Sequence, residues 1–284
     1  MSETNSEPDG LRGKPLLDHG HIELLDVMGT DQTIVDAARV SYQDGTKKKS
    51  STRDLIRYMM RHRHDSPFEM PVLRFRVKCP IFVARQWMRH RTFSFNEVSG
   101  RYSILPDEFY APDPWMGQSE KNKQGSQDEL GYSSSAFKHL LGDNPPMSAE
   151  QVAYKEYHRR LNFGISREQA RSCLPVSTYT EFWAQANLRN LLHFSSLRLD
   201  LHAQMEIRVY AEFIAECVRE HFPLTWEAFE DYRLHAVTFS KQELGILNYT
   251  IRNNKMTDEQ LHGTDLSERE RMEFLGKVEK IRHA

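Results

Sequence analysis

Residues 72–79 carry the clearest periodicity in the chain: Leu73, Phe75, Val77 and Cys79 alternate with Arg74, Arg76 and Lys78. A period of two predicts a strand with one apolar face. Pro80 ends it and suits the first turn of a helix over about 81–90 that carries Phe82, Val83, Trp87 and Met88. Upstream, 21–27 reads as a first strand. Asp31 reads as the cap of a helix with Ile34, Val35, Ala38 and Ser41 on one side. A polar loop around Gly45 and Lys47–Lys49 follows, and Ser51 or Thr52 opens a second helix bearing Leu55, Ile56, Met59 and Met60. Downstream, Ser148…Gln151 and Ser166…Gln169 fit capping boxes. Gly164 separates those two helices and Pro175 ends the second. Thr178…Glu181 is read as opening a third, long helical stretch reaching about Glu220. Ser267…Glu270 is read as capping a last helix, with Phe274, Val278 and Ile281 on one face. Strands early and helices late predict an α+β fold: a mixed or antiparallel sheet with a helix-rich C-terminal half.

The remaining segments divide the chain. Residues 1–15 are rich in Ser, Glu, Gly and Pro, and predict a flexible arm reaching to about 20. A core domain is expected over 21–240. It is interrupted at about 113–147 by a Gly-, Ser-, Pro- and Asn-rich stretch that reads as an insertion or lid. A charged, partly helical extension covers 241–284.

Charge excludes some functions. Lys plus Arg number 38 against 40 Asp plus Glu, a net charge of −2, so no chain-wide basic footprint for nucleic acid exists. No apolar run approaches the ~18 residues of a membrane span, and Met1–Lys14 lacks the apolar core of a secretory signal. Three scattered cysteines, Cys79, Cys173 and Cys217, form neither a disulfide framework nor a CxxC metal site. The expectation is a soluble, cytoplasmic protein with no membrane or nucleic-acid partner.

The densest polar segment is 89–102: Arg89, His90, Arg91, Asn96, Glu97, Ser99 and Arg101 lie among Phe93, Phe95 and Tyr102. The aromatic neighbours argue for partial burial, and buried guanidiniums are costly without an anion. Glu97 can pair with only one of them, so a phosphate is the natural further partner. A solvated loop with one internal ion pair is the equally open alternative. A second polar group is His62–Glu69. A third, comprising Asn187, Arg189, Asn190, His193, Arg198 and His202, interrupts an apolar run. On an unbroken helix Asn187 and Arg198 would share a face, with His202 one turn beyond Arg198. Single polar residues there are ordinarily satisfied core groups; several together read as a ligand wall.

These residues resemble a known family. Arg89-His90-Arg91, then seven residues, then Ser99 is similar to the signature of flavin-dependent thymidylate synthases. His64-x-Ser66-Pro67-Phe68-Glu69, Cys79–Trp87, Arg171 before Leu174-Pro175, Asn187-Leu188-Arg189, and Leu197-Arg198 with His202-Ala203-Gln204-x-Glu206 resemble its other blocks in the right order. The resemblance implies methylation of dUMP to dTMP. Methylenetetrahydrofolate would give the carbon and leave as tetrahydrofolate, and NADPH would supply reducing equivalents through FAD. It implies a homotetramer with active sites at subunit interfaces. It places dUMP on Gln86, Arg89, Glu97, Ser99, Gly100, Arg101 and Arg198, with Arg171 from a neighbouring subunit. It places FAD on Ser66, Arg89, His90, Arg91, Glu97, Asn187, Arg189 and His193. His64 is a possible flavin or folate contact, and Arg198 would be the catalytic group that stabilises charge on the uracil. No metal is implied.

The residues agree in two further ways. No cysteine has an activating setting for covalent attack on the ring. No GxGxxG is present, so FAD would be held outside a Rossmann half. Two other classes compete. A metalloenzyme could draw on His62-x-His64, His202…Glu206 and Glu259-x-x-His262, but a di-iron bundle needs two Glu-x-x-His motifs and only one is evident. An RNA-binding module lacks both the basic charge and the aromatic signature it needs.

Overall fold

The computed structural model describes residues 13–40, 50–120, 125–129, 147–253 and 268–282. Gly13–Leu16 (β1) and Gly20–Met28 (β2) pair antiparallel, so the expected arm is ordered sheet by residue 13. Gly20 is required at the turn, because a Cβ there would collide with the Tyr210 hydroxyl and lie 2.5 Å from the Leu16 carbonyl oxygen. Asp31–Arg39 (α1) and Thr52–His62 (α2) follow. Ser51 caps α2, its hydroxyl accepting from the Asp54 amide at 3.1 Å. Ser41, Gly45 and Lys47–Lys49 lie outside the described residues.

Asp31 does not cap α1. Thr30 does, in a reciprocal box with Thr33. The buried Asp31 carboxylate instead accepts from the Leu224 amide (2.8 Å), the Thr225 amide (3.0 Å) and the Thr225 hydroxyl (2.6 Å). It thereby satisfies the first-turn N–H groups of a distant helix, Pro223–Phe229. Asp31→Ala would strand two buried donors and a partly buried one, and is expected to cost about 2–3 kcal/mol. Asp31→Asn, which keeps an acceptor, should cost roughly half that; urea midpoints of the two variants check the order.

Val72–Pro80 (β3), Ile81–Trp87 (α3) and Ser94–Glu97 (β4) come next. The stretch 113–147 contributes a hairpin, Met116–Gln118 (β5) with Ser126–Glu129 (β6); its residues 121–124 and 130–146 lie outside the description. Ala149–Asn162 (α4) starts in the capping box of Ser148 and Gln151. Arg167–Ala170 (α5) is a single turn with no side-chain cap from Ser166, and a 3-10 turn at Arg171–Cys173 extends it.

The long helix expected from Thr178 is not continuous. Tyr179–Asn187 (β7) is a strand, Leu188–Arg198 (α6) a helix, and Met205–His221 (α7) another after a loop. Thr178…Glu181 mimics a capping box, yet Tyr179, Phe182, Ala184 and Ala186 are buried and the positions between Phe182 and Asn187 alternate outward. Aromatic and β-branched residues fit that pleated, half-buried surface. Pro223–Phe229 (α8) closes the first compact unit.

The main sheet is antiparallel in the order β1-β2-β3-β7-β4. Leu73, Phe75, Val77 and Cys79 on β3 sit opposite Ala186, Ala184, Phe182 and Thr180 on β7. Trp87 of α3 is fully buried, its ring 5.5 Å from Phe182, 5.0 Å from Phe194 and 5.9 Å from Tyr210. One face of the sheet is thereby covered by α3, α6 and α7. The other carries Arg74, Arg76, Lys78, Glu181 and Gln185, with Arg74 Nε donating to Gln185 at 3.0 Å.

From Glu230 the chain forms a second compact unit. Within it Lys241–Asn253 (α9) and Glu268–Arg282 (α10) bury Ile246 and Phe274 with Phe239, Leu247 and Val278. Lys277 pairs with the buried Glu243 at 2.6 Å. Ser267 and the Ile281 side chain lie outside the description. Among the described residues no helix is long and apolar enough to cross a membrane.

Candidate active site

The end of α3, the turn after it and the end of α6 meet at one point. Met88 terminates α3, and the His90 amide folds back onto the Trp87 carbonyl at 2.9 Å. That turn aims the His90 ring inward, 4.8 Å from Phe194 and 6.1 Å from Phe93. Arg198, the last residue of α6, reaches it: Nε donates to His90 Nε2 at 3.1 Å and Nη2 to the Gln86 carbonyl at 3.4 Å. Gln86 in turn donates to the Gln204 side-chain oxygen. Partial burial and the positive charge of Arg89 lower the pKa of Arg198, although it remains a cation. Burial, then Arg198, then His193 push His90 down to about 4, so its ring is neutral. Among the described residues no carboxylate lies within ion-pair distance of Arg89, Arg91, Arg171 or Arg198.

A second group gathers around the loop after β4. Glu97 accepts from the Thr180 hydroxyl at 2.6 Å. The Ser99 hydroxyl accepts from the Arg101 amide at 3.2 Å, and the Tyr102 and Ser103 amides turn back on the Ser99 carbonyl. Gly100 is a close approach: a Cβ there would lie 3.1 Å from Arg171 Cδ and 3.2 Å from Leu105. Arg101 pairs with Glu168 at 3.0 Å. Arg171 therefore stands beside Gly100 of its own chain. The family resemblance implies Arg171 of a neighbouring subunit at the nucleotide; within this chain the turn of α5 and the following 3-10 segment set Arg171 beside the Ser99–Arg101 loop.

A third group lines the start of α6. Asn187 caps that helix, its side-chain oxygen accepting from the Asn190 amide at 3.0 Å. It is thus an extended cap residue, not part of one helical face with Arg198. Arg189 lies 3.5 Å from Asp65 and 3.9 Å from Glu69, and Ser66 sits in the 3-10 turn Ser66–Glu69 between those acids. His193 approaches His90 ring to ring at 6.2 Å. His64 packs edge-on to Tyr58 at 5.8 Å.

The fold brings together two sets that the sequence singles out: Gln86, Arg89, His90 and Arg198, and Ser99, Gly100 and Arg101. Sequence alone does not reveal that Asp65 and Glu69 hold Arg189, or that Gln204 meets Gln86. Asp65 and Glu69 are visible in the His62–Glu69 cluster, but nothing in spacing pairs them with residue 189. His202 lies in the loop beyond α6 and holds Asp200 at 2.7 Å, while Glu206 accepts from the Tyr110 hydroxyl at 3.1 Å. The metal pair read from His202…Glu206 is thus split between different partners. Among the described residues no cluster of three His, Cys, Asp or Glu converges as a metal site requires.

The donors present suit phosphate and other anionic oxygens: several guanidiniums without acids, and a serine hydroxyl. They fit a flavin dinucleotide and a nucleotide phosphate equally well, and the neutral His90 and Asn187 amide can bond neutral ring edges.

Residues 23–224 match the family model described as thymidylate synthase complementing protein. A flavin-dependent thymidylate synthase of Thermus thermophilus is 48% identical over 258 residues, 89% of this chain and 93% of that one. One from Wolbachia pipientis wMel is 43% identical over 269 residues, 93% of this chain and 92% of that one. The solved UMP/dUMP methylase PolB of Streptomyces cacaoi, bound with 5-Br dUMP, is similar at 38% identity and a TM-score of 0.65, covering 77% of this chain and 98% of that chain.

Proposed function

We infer that this chain, which belongs to the thymidylate synthase complementing protein family, acts as a flavin-dependent thymidylate synthase and methylates dUMP to dTMP. The single observation that carries the reading is the Arg198 guanidinium: partly buried, beside a second cation, and held only by neutral acceptors. A cation kept without a counter-ion in a partly desolvated position favours negative charge on whatever faces it. Opposite a uracil carbonyl and ring nitrogen, it would stabilise the charge that builds up as carbon 5 becomes nucleophilic.

The other residues divide by group. Arg101, Arg171, Ser99 and Gly100 would hold the nucleotide phosphate, with Gln86 and Arg89 from the Arg198 group and Glu97 orienting a neighbouring donor or a ribose hydroxyl. Ser66, Arg89, His90, Arg91, Glu97, Asn187, Arg189 and His193 would contact FAD, and His64 would flank the flavin or folate ring. When bound, FAD supplies the redox step between NADPH and the one-carbon unit of methylenetetrahydrofolate. The family resemblance supports a homotetramer that would complete each site between subunits. The purified protein should be yellow, absorbing near ~450 nm as flavins do, and should form dTMP from dUMP, methylenetetrahydrofolate and NADPH. Turnover without bound flavin, or none with it, would sink the reading.

No thiol serves this chemistry. Burial, reinforced by Glu97, raises the Cys79 pKa, and burial pushes Cys217 up to about 12. Cys173 donates weakly to the Ala170 carbonyl. Alanine at each of the three positions is therefore expected to keep dTMP formation within about tenfold of the parent, a change under ~1.4 kcal/mol in barrier. A folded variant that loses turnover would restore a covalent cysteine to consideration.

A further inference from the structure

We propose that His90 is a positioning residue for Arg198: its imidazole fixes the guanidinium through a neutral acceptor nitrogen and leaves the outer edge of the fork free for the pyrimidine. The proposal rests on the reading above and assigns a device within that site.

Arginine is a long side chain with many rotamers, and a charge stabiliser is effective only where its donors are already in place. The usual orienting partner of an arginine is a carboxylate, which would also cancel the charge that the reaction needs. Here the partner is an imidazole. Arg198 Nε donates to His90 Nε2 at 3.1 Å and one Nη2 hydrogen is directed to the Gln86 carbonyl at 3.4 Å. Of the five guanidinium N–H groups, both on Nη1 and the second on Nη2 remain. The second Nη2 hydrogen and the Nη1 hydrogen beside it form one planar edge, matched to two adjacent acceptors such as a carbonyl oxygen and a ring nitrogen.

His90 is built to hold still. It is only 7% exposed. Its ring packs at 4.8 Å on Phe194, one turn before Arg198 on the same helix, and at 6.1 Å on Phe93. Its backbone is tied to Trp87. Accepting at Nε2 requires the proton to sit on Nδ1 and the ring to be neutral. Protonation would set donor against donor, and burial beside Arg198 keeps the ring neutral down to about pH 4. The Nε2 position is thereby committed to Arg198, so any flavin contact made by His90 falls to the Nδ1 side.

His90→Phe keeps an aromatic ring against Phe194 but removes the acceptor; His90→Gln restores an acceptor oxygen. Steady-state kinetics, dUMP binding and flavin occupancy are measured for each, alone and combined with Arg198→Ala. Expected, at saturating FAD so that any lost Nδ1 contact to the flavin is compensated, are a kcat lower by about 10–100-fold for His90→Phe, with dUMP affinity within about threefold, and recovery of much of that loss in His90→Gln. In the Arg198→Ala background His90→Phe should cost nothing further, because its effect runs through the guanidinium. His90→Leu repeats the comparison should Phe disturb folding. An equal loss with and without Arg198, or normal turnover of the flavin- and dUMP-loaded His90→Phe enzyme, overturns the positioning role. A parent protein that forms no dTMP would instead overturn the thymidylate synthase reading, so the two failures are distinguishable.

Discussion

Arg198→Ala is expected to lower kcat by about 10²–10³, the loss typical of removing one preorganised charge stabiliser, while flavin content and dUMP affinity largely persist. The geometry gives the reason. Arg198 stands with His90 and Gln86, apart from the Ser99–Arg101 loop where a phosphate would be gripped, so its contribution grows as charge develops on the ring. Arg101→Ala should show the opposite split, raising the dUMP KM more than it lowers kcat. A phosphate clamp binds ground and transition states alike. Arg101 is exposed and already pairs with Glu168 at 3.0 Å, so its loss should perturb the fold little. Arg198→Lys should rescue only partly. An ammonium carries the charge but cannot accept orientation from His90 through Nε and still present a planar edge to two acceptors. The measurement is steady-state kinetics with dUMP binding on all three variants. Undetectable dUMP binding in Arg198→Ala, with normal turnover of what does bind, would make Arg198 a binding residue.

Where one physical signal dominates, the sequence is legible. The alternation of 72–79 marks β3 and its buried face because a strand covered on one side has little freedom in pattern. Pro80, Ser51 and Ser148 mark element starts because each solves a local backbone problem. Where two signals compete, the local one misleads. Thr178…Glu181 has the form of a capping box, but Tyr179–Asn187 is a strand because its aromatic and small residues fill the space beside β3. Asp31 looks like a cap and is one, for a helix that begins at Pro223. The donors that a carboxylate will find carry no address in sequence. The same limit governs the candidate site. Arg89, His90 and Ser99 stand out through density and resemblance, while the contacts of Arg189 with Asp65 and of Gln86 with Gln204 depend on the folded chain alone. Arg171 is singled out only by the resemblance, and nothing in its spacing reveals that a short turn sets it beside Gly100 of its own chain.

That grouping sets up the strongest test of assembly. Arg101, Arg171, Ser99 and Gly100 form one group, and Arg198, His90, Gln86 and Arg89 another, with no hydrogen bond or ion pair between them among the described residues. If a site takes the first group from one subunit and the second from its neighbour, two crippled chains can complement each other. Arg198→Ala lacks the second group's cation, and Arg101→Ala combined with Arg171→Ala lacks the first group's clamp. Each alone should be nearly inactive at low dUMP. Co-expressed in equal amounts and assembled at random, they form one intact site in about four, since half the sites take each intact group and the draws are independent. Activity should then rise from near zero to about a quarter of the parent value. Sedimentation of the mixture should show a tetramer. Separately purified variants mixed without exchange should show no rescue. A co-expressed pair that stays inactive while forming tetramers would mean that both groups of a site belong to one chain, and sedimentation of an active monomer would remove the shared site altogether.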